Sequence, residues 1–260
     1  MMTAADRIQF IKNWIKNYCN SMEKKPDCLV VGVSGGIDSA VVSTISAMTE
    51  MRVKALSMPI RQLKFQDDLS RAHLKWLKSK FSNVDEVIIN LDEVFNNFEK
   101  SLKDFNDEHA FANSRARLRM TTLYQVAGAN NGIVVGTGNK VEDFGVGFFT
   151  KYGDGGVDIS PIADLVKSEV RLLAEYLEVP ESILKAKPTD GLFGDDRSDE
   201  DQIGANYDEL EWAMTQMENG KTVEDFSGRE AEVFKIFKRL NTINQHKMKP
   251  IPICEIPKNI

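Results

Sequence analysis

The residues with the most chemistry in them stand eight in a row, Gly32-Val33-Ser34-Gly35-Gly36-Ile37-Asp38-Ser39. They combine small residues, two hydroxyls and one carboxylate between a short apolar run and a stretch of small, helix-compatible residues. The first N–H groups of a helix have no intrahelical partner and the helix dipole is positive there, so such a loop attracts anions, phosphate above all. A tight strand-to-helix turn that uses its glycines only for their dihedrals is the competing reading. Walker-type phosphate loops carry a Lys after the last Gly, whereas this loop has Ile37 and Asp38 there, which disfavours a kinase or GTPase.

A second glycine-broken loop, Gly136-Thr137-Gly138, also follows an apolar run and leads to Glu142. Taken alone, Glu142 reads as a solvated helix residue and Lys167 as an ordinary surface lysine. Only the position of Glu142 after a strand-end loop lifts it. Residues 148–158 mix glycines with Phe, Tyr, Lys and Asp too irregularly for a helix, and we read them as a binding loop. Phe148 and Phe149 can stack on a ring or pack in the core, and both readings stay open.

These residues need elements to hold them. Cys28 to Val33, Val53 to Met58, Glu86 to Leu91 and Gly132 to Gly136 are short apolar or β-branched runs bounded by breakers, as buried parallel strands are. Helical periodicity fills the intervals: an amphipathic opening helix capped at Thr3 with a stripe of Ile8, Ile11, Ile15 and Tyr18, then Ser39 to Met48, Gln66 to Phe81 and Ala110 to Ala129. Further helices are expected over Lys167 to Leu177, Tyr207 to Glu218 and Arg229 to Asn244. The alternation predicts an α/β protein: an open, doubly wound, mostly parallel sheet with helices on both faces and a helical C-terminal segment, with ligands at the carboxyl ends of the strands. Both glycine loops sit at such ends. We expect one domain over 1–260, with 187–206, rich in Asp, Gly and Pro, as a mobile loop.

A net charge of -6 with both signs mixed, and no basic stripe studded with aromatics, excludes a field that draws nucleic acid, so the partners are expected to be small molecules. Cys19, Cys28 and Cys254 are an odd number without paired spacing, which argues against a disulfide framework or a zinc site. No signal peptide or membrane span is visible, and a reducing, cytoplasmic setting is expected. Trp14, Trp76, Trp212 and the methionines read as core or interface material.

Ser-Gly-Gly-Ile-Asp-Ser resembles the phosphate loop of the N-type ATP pyrophosphatases, the PP-loop superfamily. Further along, Ala116 to Met120, Val135 to Glu142, Gly147 to Asp158, Lys187-Pro188-Thr189, Ser198-Asp199-Glu200 and His246-Lys247 resemble the ammonia-dependent NAD synthetases, in the family's order and across nearly the whole chain. Many bacterial members have Thr-Asp-His-Ala-Ala-Glu where this chain has Thr137 to Glu142; the position of the acid is kept.

The resemblance implies an adenine nucleotide alpha-hydrolase-like fold and a ligase that amidates deamido-NAD with ATP and ammonia through an acyl adenylate. It implies that Gly32 to Ser39, Thr137, Lys167 and Thr189 bind ATP, that Asp38 and Glu142 share Mg2+, and that Arg117, Lys151, Asp158, His246 and Lys247 hold deamido-NAD. Catalysis would rest on Asp38, Glu142 and Lys167, with Asp158 as an acid that can help deprotonate ammonium. A homodimer with sites at the subunit boundary is implied as well. Because the phosphate loop starts within about the first tenth of the chain, no N-terminal amidase is expected and free ammonia is the expected nitrogen donor. A tRNA-modifying or purine-amidating relative and a non-catalytic nucleotide sensor are the competing readings.

Overall fold

The computed structural model describes residues 2–186 and 199–257. The chain opens with α1 (Ala4–Ser21), whose Thr3 cap and Asp6 form a reciprocal capping box. There follow β1 (Cys28–Gly32), α2 (Ile37–Met48), β2 (Arg52–Ser57), α3 (Lys64–Lys80), β3 (Val84–Ile88), α4 (Asp92–Ser101), α5 (Glu108–Ala129) and β4 (Gly132–Val135). After β4 a single π-helical turn spans Val141–Val146, and then come α6 (Lys167–Tyr176), α7 (Glu181–Leu184), α8 (Asp199–Ile203), α9 (Tyr207–Glu218), α10 (Gly228–Ile243) and α11 (Gln245–Met248).

The four strands form one parallel sheet in the order β3-β2-β1-β4. Side chains alternate across it as period 2 requires. Leu29, Val31, Val53, Ala55, Ile133 and Val135 enter a core with α1, α2 and α6, while Cys28, Val30, Leu56 and Val134 enter another with Phe95 of α4 and Phe111 of α5. Helices cover both faces, which is why these strands read as continuous apolar runs. The chain leaves β1 towards β2 on one side and returns to β4 on the other. The loops after β1 and β4 therefore diverge from neighbouring strands and leave a crevice between them. A parallel bridge from Val135 to Ile159 continues the β4 edge.

A third core joins Tyr207, Leu210, Met214, Phe234 and Phe237 of α9 and α10 to Val141 and Val146 of the π turn. The C-terminal helices thus hold the turn that carries Glu142.

Three elements depart from the sequence reading. The third strand runs Val84–Ile88, two residues earlier than expected at its start, because it is an edge strand whose outer residues alternate with solvent. Charge-rich Asp92–Ser101 is a helix that the sequence reading left unassigned, buried through Phe95 alone. In α1 Cys19, not Tyr18, completes the buried stripe; Tyr18 is 38% exposed and stacks on Trp14. Of the stretch 187–206, residues 187–198 lie outside the described residues, and α8 occupies part of the remainder. The cysteines are free, and among the described residues no helix is long and apolar enough to cross a membrane.

Candidate active site

The loop from Ser34 to Ser39 is a turn tied to itself. Ser34 N–H donates to Ser39 Oγ, Gly36 N–H donates to Ser34 Oγ, and Ser39 Oγ donates to Gly36 O at 2.9 Å. Gly35 has φ +92°, and a Cβ there would meet Ser70 N at 2.9 Å, so the loop can pass under α3 only with glycine. Ser70 Oγ in turn donates to Val33 O at 2.7 Å. Apart from Gly35, all of Gly32 to Ser39 lines a cavity of about 550 Å³ that opens at the strand ends.

Asp38, in the first turn of α2, and Glu142, in the π turn, meet at one ammonium. Lys167 Nζ donates to Asp38 Oδ2 at 2.5 Å and to Glu142 Oε1 at 3.0 Å. Lys167 is 3% exposed. It is also the first residue of α6, where the helix dipole opposes a positive charge, so its burial is sustained by the two acids and not by the helix. Asn139 ties the arrangement together: its Nδ2 donates to Asp38 Oδ1, and its Oδ1 accepts from the N–H groups of Val141 and Glu142. Behind them Tyr207 OH donates to Glu142 Oε1 at 2.6 Å. Burial and the charge of Glu142 raise the Asp38 carboxyl against the pull of Lys167. For Glu142 the lysine and the tyrosine outweigh burial, and its carboxyl is lowered. The Lys167 ammonium loses water, but Asp38 and Glu142 overcompensate and raise its pKa.

Acids that the sequence reading gave no role also line the cavity, namely Asp67, Asp143, Asp154 and Asp199, and two of them are strongly perturbed. Desolvation, reinforced by Glu142, Asp154 and Asp38, pushes Asp143 up to about 8. Asp154 lines the cavity as an exposed residue; the protein atoms around its carboxyl push it up to about 6, mainly by loss of water, while Thr150 N–H, donating at 3.0 Å, pulls the other way. The binding loop turns through Tyr152, whose φ of 60° is unusual for a non-glycine residue.

Of the residues expected to hold deamido-NAD, Arg117, Lys151 and His246 are linked to one another by hydrogen bonds, but only Lys247 lines the cavity. Arg117 Nε donates to Lys151 O, Lys151 Nζ to His246 O, and Lys247 Nζ to the carbonyls of Gly147 and Phe149 at 2.8 Å each. Lys247 lines the cavity and lies 5.5 Å over the Phe149 ring, and desolvation lowers its pKa. Thr137, Phe148 and Phe149 line it too. Asp158, like Arg117, Lys151 and His246, lies outside the cavity lining, and its carboxylate accepts from Tyr124 OH at 2.9 Å and from Val134 N–H at 2.7 Å. Thr189 lies outside the described residues.

The donor set suits a hard divalent cation that keeps other ligands. Asp38 and Glu142 are two carboxylates, and among the described residues no cluster of three or more His, Cys, Asp and Glu is spaced for a metal, so the rest of the shell would come from phosphate and water, as it does for Mg2+.

Comparison with known proteins identifies the family. The model of the family NAD synthase matches residues 7–251. The NH(3)-dependent NAD(+) synthetase of Picrophilus torridus is 40% identical over 225 residues, 85% of this chain and 84% of that one. That of Carboxydothermus hydrogenoformans is 35% identical over 97% of both. Among solved structures, NMN synthetase from Francisella tularensis is similar with a TM-score of 0.84 at 30% identity, covering 99% of this chain and 100% of that one.

Proposed function

The chain belongs to the NAD synthase family, and from that premise we propose that it converts deamido-NAD to NAD with ATP and ammonia, as a ligase that forms a carbon–nitrogen bond. The observation that carries the reading is the convergence of the Ser34 to Ser39 loop, Asp38, Glu142 and Lys167 on one cavity. A carboxylate is a poor acyl donor because its oxygen leaves badly. Its oxygen therefore attacks the α-phosphorus of ATP, the Pα–O–Pβ bond breaks, and pyrophosphate leaves from an acyl adenylate. Ammonia then attacks the carbonyl carbon and AMP departs with the original carboxylate oxygen.

The residues act mainly by position and charge. Loop amides and the two serines cradle the leaving pyrophosphate. Mg2+, when bound by Asp38 and Glu142, neutralises charge on the phosphates. Lys167 adds a fixed cation where two polyanionic substrates meet, and Thr137 and Thr189 complete the ATP contacts. Arg117, Lys151, His246 and Lys247 hold deamido-NAD. Asp158, fixed by Tyr124 and Val134, braces that wall, and Asp154 in the cavity takes the proton from the attacking nitrogen. The family resemblance supports a cytoplasmic homodimer, which sedimentation would detect as twice the chain mass of 29.2 kDa.

The test is stoichiometry. Recombinant protein with ATP, Mg2+, deamido-NAD and ammonium should yield NAD, AMP and pyrophosphate in equal amounts, and Asp38→Ala should abolish them. ADP and phosphate in their place would refute the scheme. Glutamine in place of ammonium should give no product. The likeness to an NMN synthetase motivates a second reading, in which nicotinate mononucleotide is the acyl substrate; a higher kcat/KM for the mononucleotide than for the dinucleotide would favour it.

A further inference from the structure

Tyr207 opens α9 and heads the fully buried side chains in size. Its ring sits in the C-terminal core, but its hydroxyl points out of that core to Glu142 Oε1 at 2.6 Å, with Asp199 Oδ2 at 3.4 Å. The same ring lies under Lys167, whose Nζ is 4.7 Å from its centroid. Tyr207 itself does not line the cavity. Packing alone would be served by phenylalanine, since a buried hydroxyl costs free energy unless it is bonded. The hydroxyl is explained by what it holds: one proton aimed at a carboxylate, with the ring's negative face turned to the ammonium that the carboxylate shares.

We infer that Tyr207 is a positioning residue for the reaction: it fixes the Glu142 carboxylate and the Lys167 ammonium from behind, so that the divalent cation and ATP meet a carboxylate already oriented. The inference rests on the proposed reading of Asp38 and Glu142 as the metal acids. Because Tyr207 is tied to the third core, it also makes α9 the backstop of a site built otherwise from the sheet's loops. Partners of this kind orient metal ligands and tune affinity without touching the ion.

Tyr207→Phe fills the same volume and leaves Glu142 paired with Lys167, so the fold is retained. Binding of Mn2+ to the full chain, followed by electron paramagnetic resonance with a non-cleavable ATP analogue, should weaken about 10-fold. The Mg2+ concentration for half-maximal NAD formation should rise in parallel, while KM for ATP at saturating Mg2+ stays near that of the unaltered protein. Glu142→Gln should weaken Mn2+ binding by itself, and adding Tyr207→Phe to it should change nothing further, because the tyrosine acts through that carboxylate. A Tyr207→Phe protein that binds Mn2+ as the unaltered protein does, while Glu142→Gln loses it, overturns the role of Tyr207 and leaves the site reading standing. Unchanged binding in Glu142→Gln overturns both. Additive losses in the double variant would also overturn the inference, since they would mean a general loosening.

Discussion

Lys167 is held by residues 129 and 25 positions away in the chain, and nothing in its own neighbourhood announces that. Removing its charge leaves the largely buried carboxylates of Asp38 and Glu142 facing each other and, on the proposed reading, takes a cation from the phosphates. Lys167→Ala should therefore lower kcat by roughly 100-fold or more, the scale of losing one group that stabilises developing charge. Rates within threefold of the unaltered protein would remove Lys167 from the reaction. Asp154 makes a separate prediction. With a carboxyl titrating at about 6, it accepts a proton only above that pH, so kcat should fall as pH drops through about 6, and Asp154→Asn should lose both rate and that acid limb. An unchanged limb in the variant would place the titrating group elsewhere.

At the level of elements, the phosphate loop depends on one dihedral and one close approach. Gly35→Ala forces a Cβ at φ +92° against Ser70 N, which should cost about 1–3 kcal/mol of stability and raise KM for ATP by shifting the loop from α3; urea titration and steady-state kinetics check both. The loop was legible in the sequence because its chemistry is local: glycines, hydroxyls and Asp38 stand together, bracketed by an apolar strand and a helix. Glu142 was legible only through its place after β4. The burial of Lys167 and the inward turn of Asp143, Asp154 and Tyr207 were not, because each depends on the packing of α6, α9 and the π turn rather than on neighbours in the chain. Asp92–Ser101 was legible as well, since Val94, Phe95 and Phe98 recur on one face of it, but the segment is only ten residues long and rich in charge and Asn. The Cys19 for Tyr18 exchange in α1 shows the limit of spacing alone: both fit a helical spacing from Ile15, and only the packing against α2 and α6 decides between them.

For the whole molecule, strand order does what no single residue does. Crossing from β3 back past β1 to β4 opens the crevice, and the alternation of strands and helices already implied it. Stability has its own pH dependence, through His73, which is fully buried between α2 and α3, its Nε2 2.9 Å from Ser43 Oγ. Burial lowers its pKa from 6.5 to about 4. Above 6.5 the ring is neutral folded or unfolded and the fold keeps its full stability. Between 6.5 and 4 the unfolded chain binds a proton that the fold refuses, so stability falls with falling pH, by up to about 3 kcal/mol. Urea midpoints at pH 7 and pH 5 should differ accordingly, and His73→Gln should flatten the difference; parallel curves for the two proteins would contradict this.

The central claim is that the carboxylate is activated on the α-phosphorus, in the cavity where the loop, Asp38, Glu142 and Lys167 meet. Deamido-NAD labelled with 18O in its nicotinate carboxylate tests it most directly. The mechanism predicts one labelled oxygen in each AMP released and one in each NAD carboxamide. Unlabelled AMP, or label in inorganic phosphate, would contradict it.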